Sequence, residues 1–157
     1  MHSLHTVINL PKGQEDSMLY LAAPLHDIGK PDCRCKGKRA EDANMHYYSH
    51  PQRSAEIVRD EILPGLEKHS MGISGENAKR LLYYIGYHDE QVSFRLKSLK
   101  RHLNMVPFEA FQKLMLHQAA DAKAHVQIPA IAGRVEVCSQ LAGEKGIELY
   151  QQILNGE

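Results

Sequence analysis

Two side chains that are costly to bury close the first strongly apolar helical run of the chain. The run from Met18 to Leu25 has helical spacing of its apolar residues, and it ends in His26 and Asp27. A carboxylate and an imidazole at the buried end of a helix lose hydration unless a partner there uses them. A divalent metal ion is the commonest such partner, so this pair indicates metal chemistry.

Further polar residues continue apolar helical stripes where a hydrophobic residue is expected. His88 extends the stripe of Ile85, Asp121 extends the stripe of Leu114, and His50 precedes an inward-facing helix. One buried histidine is more often a hydrogen-bonded core residue, but a buried carboxylate without a partner destabilises a fold. Convergence on a cation accounts for all of them, because it compensates carboxylates and binds neutral imidazoles. The competing interpretation is that the histidines only pack the core.

The elements that must position these residues are predicted to be helices. Helical periodicity is interrupted by Gly, Pro and polar clusters, and alternating strand patterns are absent. We predict an all-α fold of six or seven helices over residues 1–9, 15–28, 50–63, 74–89, 94–105, 107–125 and 129–153. Residues 30–49 are predicted to form a polar loop, and Pro64-Gly65 to end the third helix. Gly29 is predicted to cap the second helix in the left-handed conformation, and Gly143 to bend the last one.

The motif around the first pair resembles the signature of the HD-domain metal-dependent phosphohydrolases. His26 and Asp27 stand after a helix of small residues and before Ile-Gly-Lys-Pro. His50, in Ser-His-Pro-Gln-Arg-Ser-Ala-Glu, is similar to the third histidine of that family, and His88 to the fourth. Asp121, in Gln-Ala-Ala-Asp-Ala-Lys-Ala-His, matches the final aspartate.

The resemblance extends over residues 2–126 and includes an earlier histidine. His5, in His-Thr-Val, matches that position, and His2 could substitute for it with a shifted helix. The stretch around Asp121 is particularly similar to the HD regions of bacterial tRNA nucleotidyltransferases. We therefore expect a compact HD-domain helical bundle and a single domain over residues 1–157. The helix that carries the first ligand begins almost at residue 1. Two possibilities therefore stay open: the sequence is a fragment of a longer protein, or it is a family member trimmed at its N-terminus.

The resemblance also implies a set of metal ligands, which is His5, His26, Asp27, His50, His88 and Asp121. The first histidine, the His-Asp pair and the final aspartate would hold one ion, and the two middle histidines a second, with Asp27 bridging. Mixed nitrogen and oxygen ligands without cysteine suit Mn, Fe, Co or Ni better than a structural Zn site, and Mg stays open. Two such ions can share a hydroxide and polarise a phosphoryl group.

The implied activity is hydrolysis of a phosphomonoester or phosphodiester, with a nucleotide or an RNA end as the expected small phosphorylated substrate. Asp27 and Lys30 are the expected catalytic residues, and Lys30 and Arg53 the expected substrate-binding residues. Lys30 lies one turn after the motif, where its charge could neutralise phosphoryl oxygens. Lys30 could equally be a solvated lysine at a helix end.

Two other functions fit the same residues. A minority of HD-fold proteins are similar to mixed-valent di-iron oxygenases with the same order of ligands. A metal-binding or nucleotide-sensing module without turnover is the other alternative. Four of the remaining histidines, His69, His102, His117 and His125, are expected at the surface or just outside the ligand set. His125 could lie beside the site, because it follows Asp121 by four residues.

Composition limits the partners. The formal net charge is zero, which argues against general nucleic-acid binding. Three cysteines cannot form a disulfide framework, so a reducing cytoplasm is the expected location. No apolar run is long enough for a membrane span, and no signal peptide is visible. The oligomeric state is not predicted.

Overall fold

Helices dominate the fold, as predicted, and one small hairpin interrupts them. The computed structural model describes all 157 residues. Helices α1 to α9 are His2–Asn9, Ser17–Leu25, His50–Ile57, Leu63–Lys68, Gly75–Gly86, Leu96–Leu103, Phe108–Lys123, Pro129–Ala142 and Glu144–Leu154. Strands β1 and β2 are Arg34–Lys36 and Met45–Tyr47. No helix is both long and apolar enough to cross a membrane.

The third predicted helix continues past its expected end. A π-helical turn, Val58–Ile62, joins α3 to α4, so the chain stays helical from His50 to Lys68. The predicted stop at Pro64-Gly65 is wrong, because Pro64 falls in the first turn of α4, where a missing N–H costs little. If α3 and α4 are counted as one continuous helix, the fold has eight helices, one more than the predicted maximum of seven. The additional helix arises because Gly143 divides the predicted last helix into α8 and α9.

A hairpin occupies the region predicted to be a polar loop. Strands β1 and β2 pair antiparallel, with Arg34 opposite Tyr47, Cys35 opposite His46 and Lys36 opposite Met45. Each strand has only three residues, which is too short to produce a recognisable alternation in the sequence.

The core lies between α2, α5 and α7. Leu19 and Ala22 of α2, Tyr84 of α5, and Leu114 and Met115 of α7 are fully buried. The small residues of α2 let its neighbours approach closely, which brings the C-terminal end of α2 into the interior. Helix α1 packs on α7 and α2, and α8 covers α7.

The turn after α2 is pressed against α3. A side chain at Gly29 would place its Cβ 2.5 Å from the backbone nitrogen of Ser54, and the Gly29 N–H donates to Ser54 Oγ at 2.9 Å. Only Gly13 and Gly156 among the glycines have a positive φ, so the predicted left-handed cap at Gly29 is wrong. Glycine is required there because the two backbones meet, and this contact fixes the His-Asp pair relative to α3.

Candidate metal centre

Three buried histidines present the same ring atom, Nε2, to the carboxylate of Asp27. His26 caps the C-terminal end of α2, His50 begins α3, and His88 follows α5 by two residues. In each ring Nδ1 lies within hydrogen-bond distance of the backbone carbonyl three residues earlier, at 2.6, 2.8 and 2.7 Å respectively. A carbonyl can only accept, so Nδ1 carries the proton and the neutral ring has a free lone pair on Nε2. The acceptors are Ala23, Tyr47 and Ile85.

Two of these lone pairs face each other. His50 Nε2 lies 3.1 Å from His88 Nε2, and the two atoms lie 3.2 and 3.6 Å from Asp27 Oδ1. Two nitrogen lone pairs at this distance repel unless a cation or a proton lies between them. The three ligand atoms therefore form a group that suits a cation.

The other oxygen of Asp27 belongs to a second group. His26 Nε2 lies 3.3 Å from Asp27 Oδ2 and 3.2 Å from Asp121 Oδ1. His2 Nε2 lies 2.7 Å from Asp121 Oδ1 and 3.7 Å from Asp27 Oδ2. Asp27 thus stands between two sets of nitrogen atoms and presents one carboxylate oxygen to each.

The charges at this point favour a cation. Burial opposes the ionisation of Asp27, but the close side chains of His26, His50 and His88 hold its pKa far below the usual range. Burial likewise opposes the ionisation of Asp121, but its hydrogen bond with His2 and the nearby His26 ring lower its pKa. Burial disfavours a proton on His26, yet Asp121 and Asp27 raise the pKa of that ring to about 9. Positive charge is required where these atoms meet, whether from protons or from a metal ion.

The residues present fit a divalent metal. His26 Nε2 and Asp27 Oδ1 are buried atoms without a hydrogen-bond partner in the protein, and such atoms are costly unless something binds them. Four overlapping groups of three residues each place their ligand atoms within 4.8 Å of one another, and the groups are drawn from His2, His26, Asp27, His50, His88, Asp121 and His125. Imidazole and carboxylate donors suit Mn, Fe, Co, Ni or Zn.

The structure does not bring His5 to this cluster. His5 is exposed on α1, and His2, one turn earlier, contacts Asp121 instead. The reason is the packing of α1 on α7: Thr6 is buried, and Asn9 Nδ2 donates to the Ala120 carbonyl. This register turns His2 toward α7 and His5 toward solvent, so the alternative residue takes the place assigned to His5.

The two residues predicted to bind substrate lie in different surroundings. Lys30 Nζ is 2.6 Å from Asp27 Oδ2, and Lys30 lines the cavity over the cluster. Arg53 does not line this cavity. Its Nε donates to Asp32 at 2.7 Å and its Nη1 to Glu56 at 3.4 Å.

The cavity over the cluster measures about 420 Å³, and part of its lining was not predicted from the sequence. One wall is the β2 end of the hairpin, with His46, Tyr47 and Tyr48. His125 lines the cavity as expected, with its ring 4.4 Å from that of His2. The hairpin wall has no sequence signal beyond its aromatic residues.

Residues of α7 and α8 hold the turn that carries His88. Gln118 Nε2 donates to the carbonyls of Tyr87 and Glu90 at 2.8 and 2.9 Å. Arg134 Nη2 donates to the His88 carbonyl at 3.1 Å. Sequence reasoning missed both roles, because their partners are backbone atoms far away in the chain.

The chain is similar to a known family of proteins. The chain matches the family model of the HD domain over residues 2–105, well over half of its length. Comparisons with curated proteins and with solved structures gave no match. The matched range includes His2, His26, Asp27, His50 and His88, and Asp121 joins them from beyond it. The chain belongs to the HD-domain family, whose members are mostly metal-dependent phosphohydrolases.

Proposed function

We propose that the protein is a metal-dependent phosphohydrolase that acts on a phosphomonoester or phosphodiester. The observation that carries the proposal is the position of Asp27, whose two oxygens each lie close to two histidine Nε2 atoms. A carboxylate so placed can bridge two divalent ions, and a pair of bridged ions is a common site for phosphoryl chemistry.

Two ligand sets follow from the distances. His2, His26, Asp27 and Asp121 would hold one ion, and Asp27, His50 and His88 the other. When bound, divalent ions supply a Lewis acid for a phosphoryl oxygen and lower the pKa of water. The hydrogen bonds from Nδ1 to backbone carbonyls keep the rings oriented for this purpose.

Lys30 is the residue of this chain that we assign to the substrate. Its ammonium group pairs with Asp27 Oδ2, and 30% of the side-chain surface is accessible. Lys30 also lines the cavity. A phosphoryl group at the cluster would lie within reach of this ammonium, which would compensate the charge on its non-bridging oxygens. Asp27 and Lys30 therefore keep their assignment to catalysis, with Asp27 as a ligand. We do not retain Arg53, because Asp32 and Glu56 occupy its guanidinium.

The expected substrate is a small phosphorylated molecule such as a nucleotide. A cavity of about 420 Å³ lies within the range of small-ligand sites, and the zero net charge gives no general affinity for nucleic acid. An RNA end stays within the proposal. The further likeness to tRNA nucleotidyltransferases rests on residues near Asp121, outside the matched range, and stays a prediction.

Chelator-treated protein assayed without oxygen tests this function. We expect Mn²⁺, Fe²⁺, Co²⁺ or Ni²⁺ to restore hydrolysis of p-nitrophenyl phosphate or of bis(p-nitrophenyl) phosphate, with Mg²⁺ as a further arm. Oxygen consumption by the iron-loaded protein, with no anaerobic hydrolysis, would favour an oxygenase. Metal binding without turnover of any phosphate ester would favour a sensing module.

A further inference from the structure

The hairpin wall of the cavity carries two parallel aromatic rings. The rings of His46 and Tyr48 have an interplanar angle of 1° and centroids 5.2 Å apart. Tyr48 keeps 52% of its surface accessible although His46 covers part of it. A large ring left half exposed at the wall of a cavity is a surface on which another flat group can stack.

The orientation of this pair is set within the hairpin itself. Asp42 Oδ2 lies 2.6 Å from His46 Nε2, and Asp42 Oδ1 accepts from the Asn44 N–H at 3.0 Å. Gly37 packs directly on the Asp42 side chain, so that any Cβ at residue 37 would collide with it. Because Asp42 holds the His46 ring, the stack is ordered before any ligand arrives, which reduces the entropy lost on binding.

The same hairpin is connected to the metal centre. The Tyr47 carbonyl accepts the His50 Nδ1 proton at 2.8 Å, and Lys30 Nζ lies 5.9 Å from the centre of the Tyr47 ring. The residue between His46 and Tyr48 therefore touches both a metal-site histidine and the lysine assigned to phosphate. A ligand with its phosphate at Lys30 has the aromatic wall beside it.

We propose that His46 and Tyr48 form a stacking platform for a planar aromatic ring of the substrate, a nucleobase, and so determine specificity for nucleotides over other phosphate esters. The proposal rests on the proposed phosphohydrolase function for the placement of the phosphate. A nucleobase suits the platform because every base has a π-face that stacks on an aromatic side chain. Lys38 Nζ lies over the Tyr48 ring, 5.7 Å from its centre, and places positive charge at the face of the platform.

Paired substrates and variants of Tyr48 test the platform. The substrates are the four common nucleoside 5′-monophosphates and ribose 5-phosphate, which shares their phosphate but has no base. We expect Tyr48→Ala to raise KM for the preferred nucleotide roughly tenfold, the size expected from one lost stacking contact, with kcat nearly unchanged. KM for ribose 5-phosphate should not change. Tyr48→Phe should behave as the wild type, as should Phe94→Ala, which removes an exposed aromatic that does not line the cavity.

Calorimetric binding of the same compounds separates the platform from the activity. A wild-type protein that binds no nucleotide more tightly than ribose 5-phosphate overturns the platform, while hydrolysis of both leaves the proposed function standing. The platform is also overturned if Tyr48→Ala weakens the binding of the nucleotide and of ribose 5-phosphate equally, because that result would show that Tyr48 only maintains the structure of the hairpin. The protein could also hydrolyse neither compound and yet bind nucleotides less tightly after Tyr48→Ala. That result would support the platform and reject the phosphohydrolase function.

Discussion

Two sets of buried histidines differ in almost every contact. His26, His50 and His88 each place Nδ1 on a carbonyl three residues earlier and aim Nε2 at a carboxylate. His102 and His117 are fully buried, yet neither places Nδ1 on a backbone carbonyl in this way. His102 Nδ1 lies 2.9 Å from the Tyr83 hydroxyl, with Glu90 Oε2 3.7 Å from its Nε2, and both ring nitrogens of His117 are without a hydrogen-bond partner. Burial alone does not mark the three proposed ligands, whereas the combination of an Nδ1 fixed by a backbone carbonyl and a carboxylate near Nε2 distinguishes them.

The pKa values express the same difference. Burial lowers the pKa of His102 to about 4, and burial with the nearby His26 and His88 lowers the pKa of His117 to about 3. His26 is buried as well, but Asp121 and Asp27 raise its pKa to about 9. The first two rings are neutral packing groups. The third lies beside two carboxylates, which attract positive charge from a proton or from a metal ion alike.

The largest expected effect is at Asp27, the carboxylate shared by both ligand sets. Asp27→Asn removes the charge and leaves one oxygen to coordinate, so we expect hydrolysis to fall by more than about 100-fold, beyond the loss usual for residues that only support a ligand. Bound metal, measured by elemental analysis, should fall with it. The control is Asp60→Asn, an exposed aspartate paired with Arg59. Full activity in a folded Asp27→Asn protein would contradict the ligand assignment.

The pair His2 and His5 tests the register of α1. His2→Ala removes a ring 2.7 Å from Asp121 Oδ1, so it should weaken metal binding roughly tenfold or more, as measured by titration of the chelated protein. His5→Ala removes an exposed ring of the same type from the same helix and should leave metal binding unchanged. The reverse result would show that α1 packs in the other register.

Substitution of Arg134 tests whether support of the backbone around His88 affects metal binding as much as the His88 ring itself. Arg134→Ala removes the hydrogen bond to the His88 carbonyl, so the turn that carries this ring loses a support from α8. We expect about tenfold weaker metal binding with a nearly unchanged melting temperature. Arg59→Ala, on the surface and paired with its neighbour Asp60, is the matched control. A lower melting temperature with unchanged metal affinity would assign Arg134 to general stability.

The smallest effect concerns stability and a histidine outside the proposed ligand set. His102 has a pKa of about 4 when folded and an ordinary value of 6.5 when unfolded. The unfolded chain therefore binds the proton first as the pH falls, and stability decreases from pH 6.5 downward to about 4, by up to about 1.4 kcal/mol per pH unit. In His102→Gln, the free energy of unfolding measured with urea should fall less steeply over this range, and metal content should not change. An equal slope in both proteins would contradict the buried neutral state of His102.

The sequence was sufficient for the residues that interrupt an apolar stripe. His26, His50, His88 and Asp121 occupy such positions, and the structure brings them to one point. The choice between His2 and His5 depends on how a two-turn helix packs on α7, and both positions lie near one face of that helix. Arg134 and the hairpin left no sequence signal, because one acts through a distant carbonyl and the other consists of two three-residue strands.

Anomalous scattering from crystals of metal-loaded protein tests the central claim most directly. We predict two transition-metal peaks, one on each side of Asp27, with His2, His26 and Asp121 around the first and His50 and His88 around the second. A single peak would contradict the bridging role of Asp27. Loaded crystals without any peak at Asp27, with the histidine Nε2 atoms bonded to water alone, would contradict the metal centre itself.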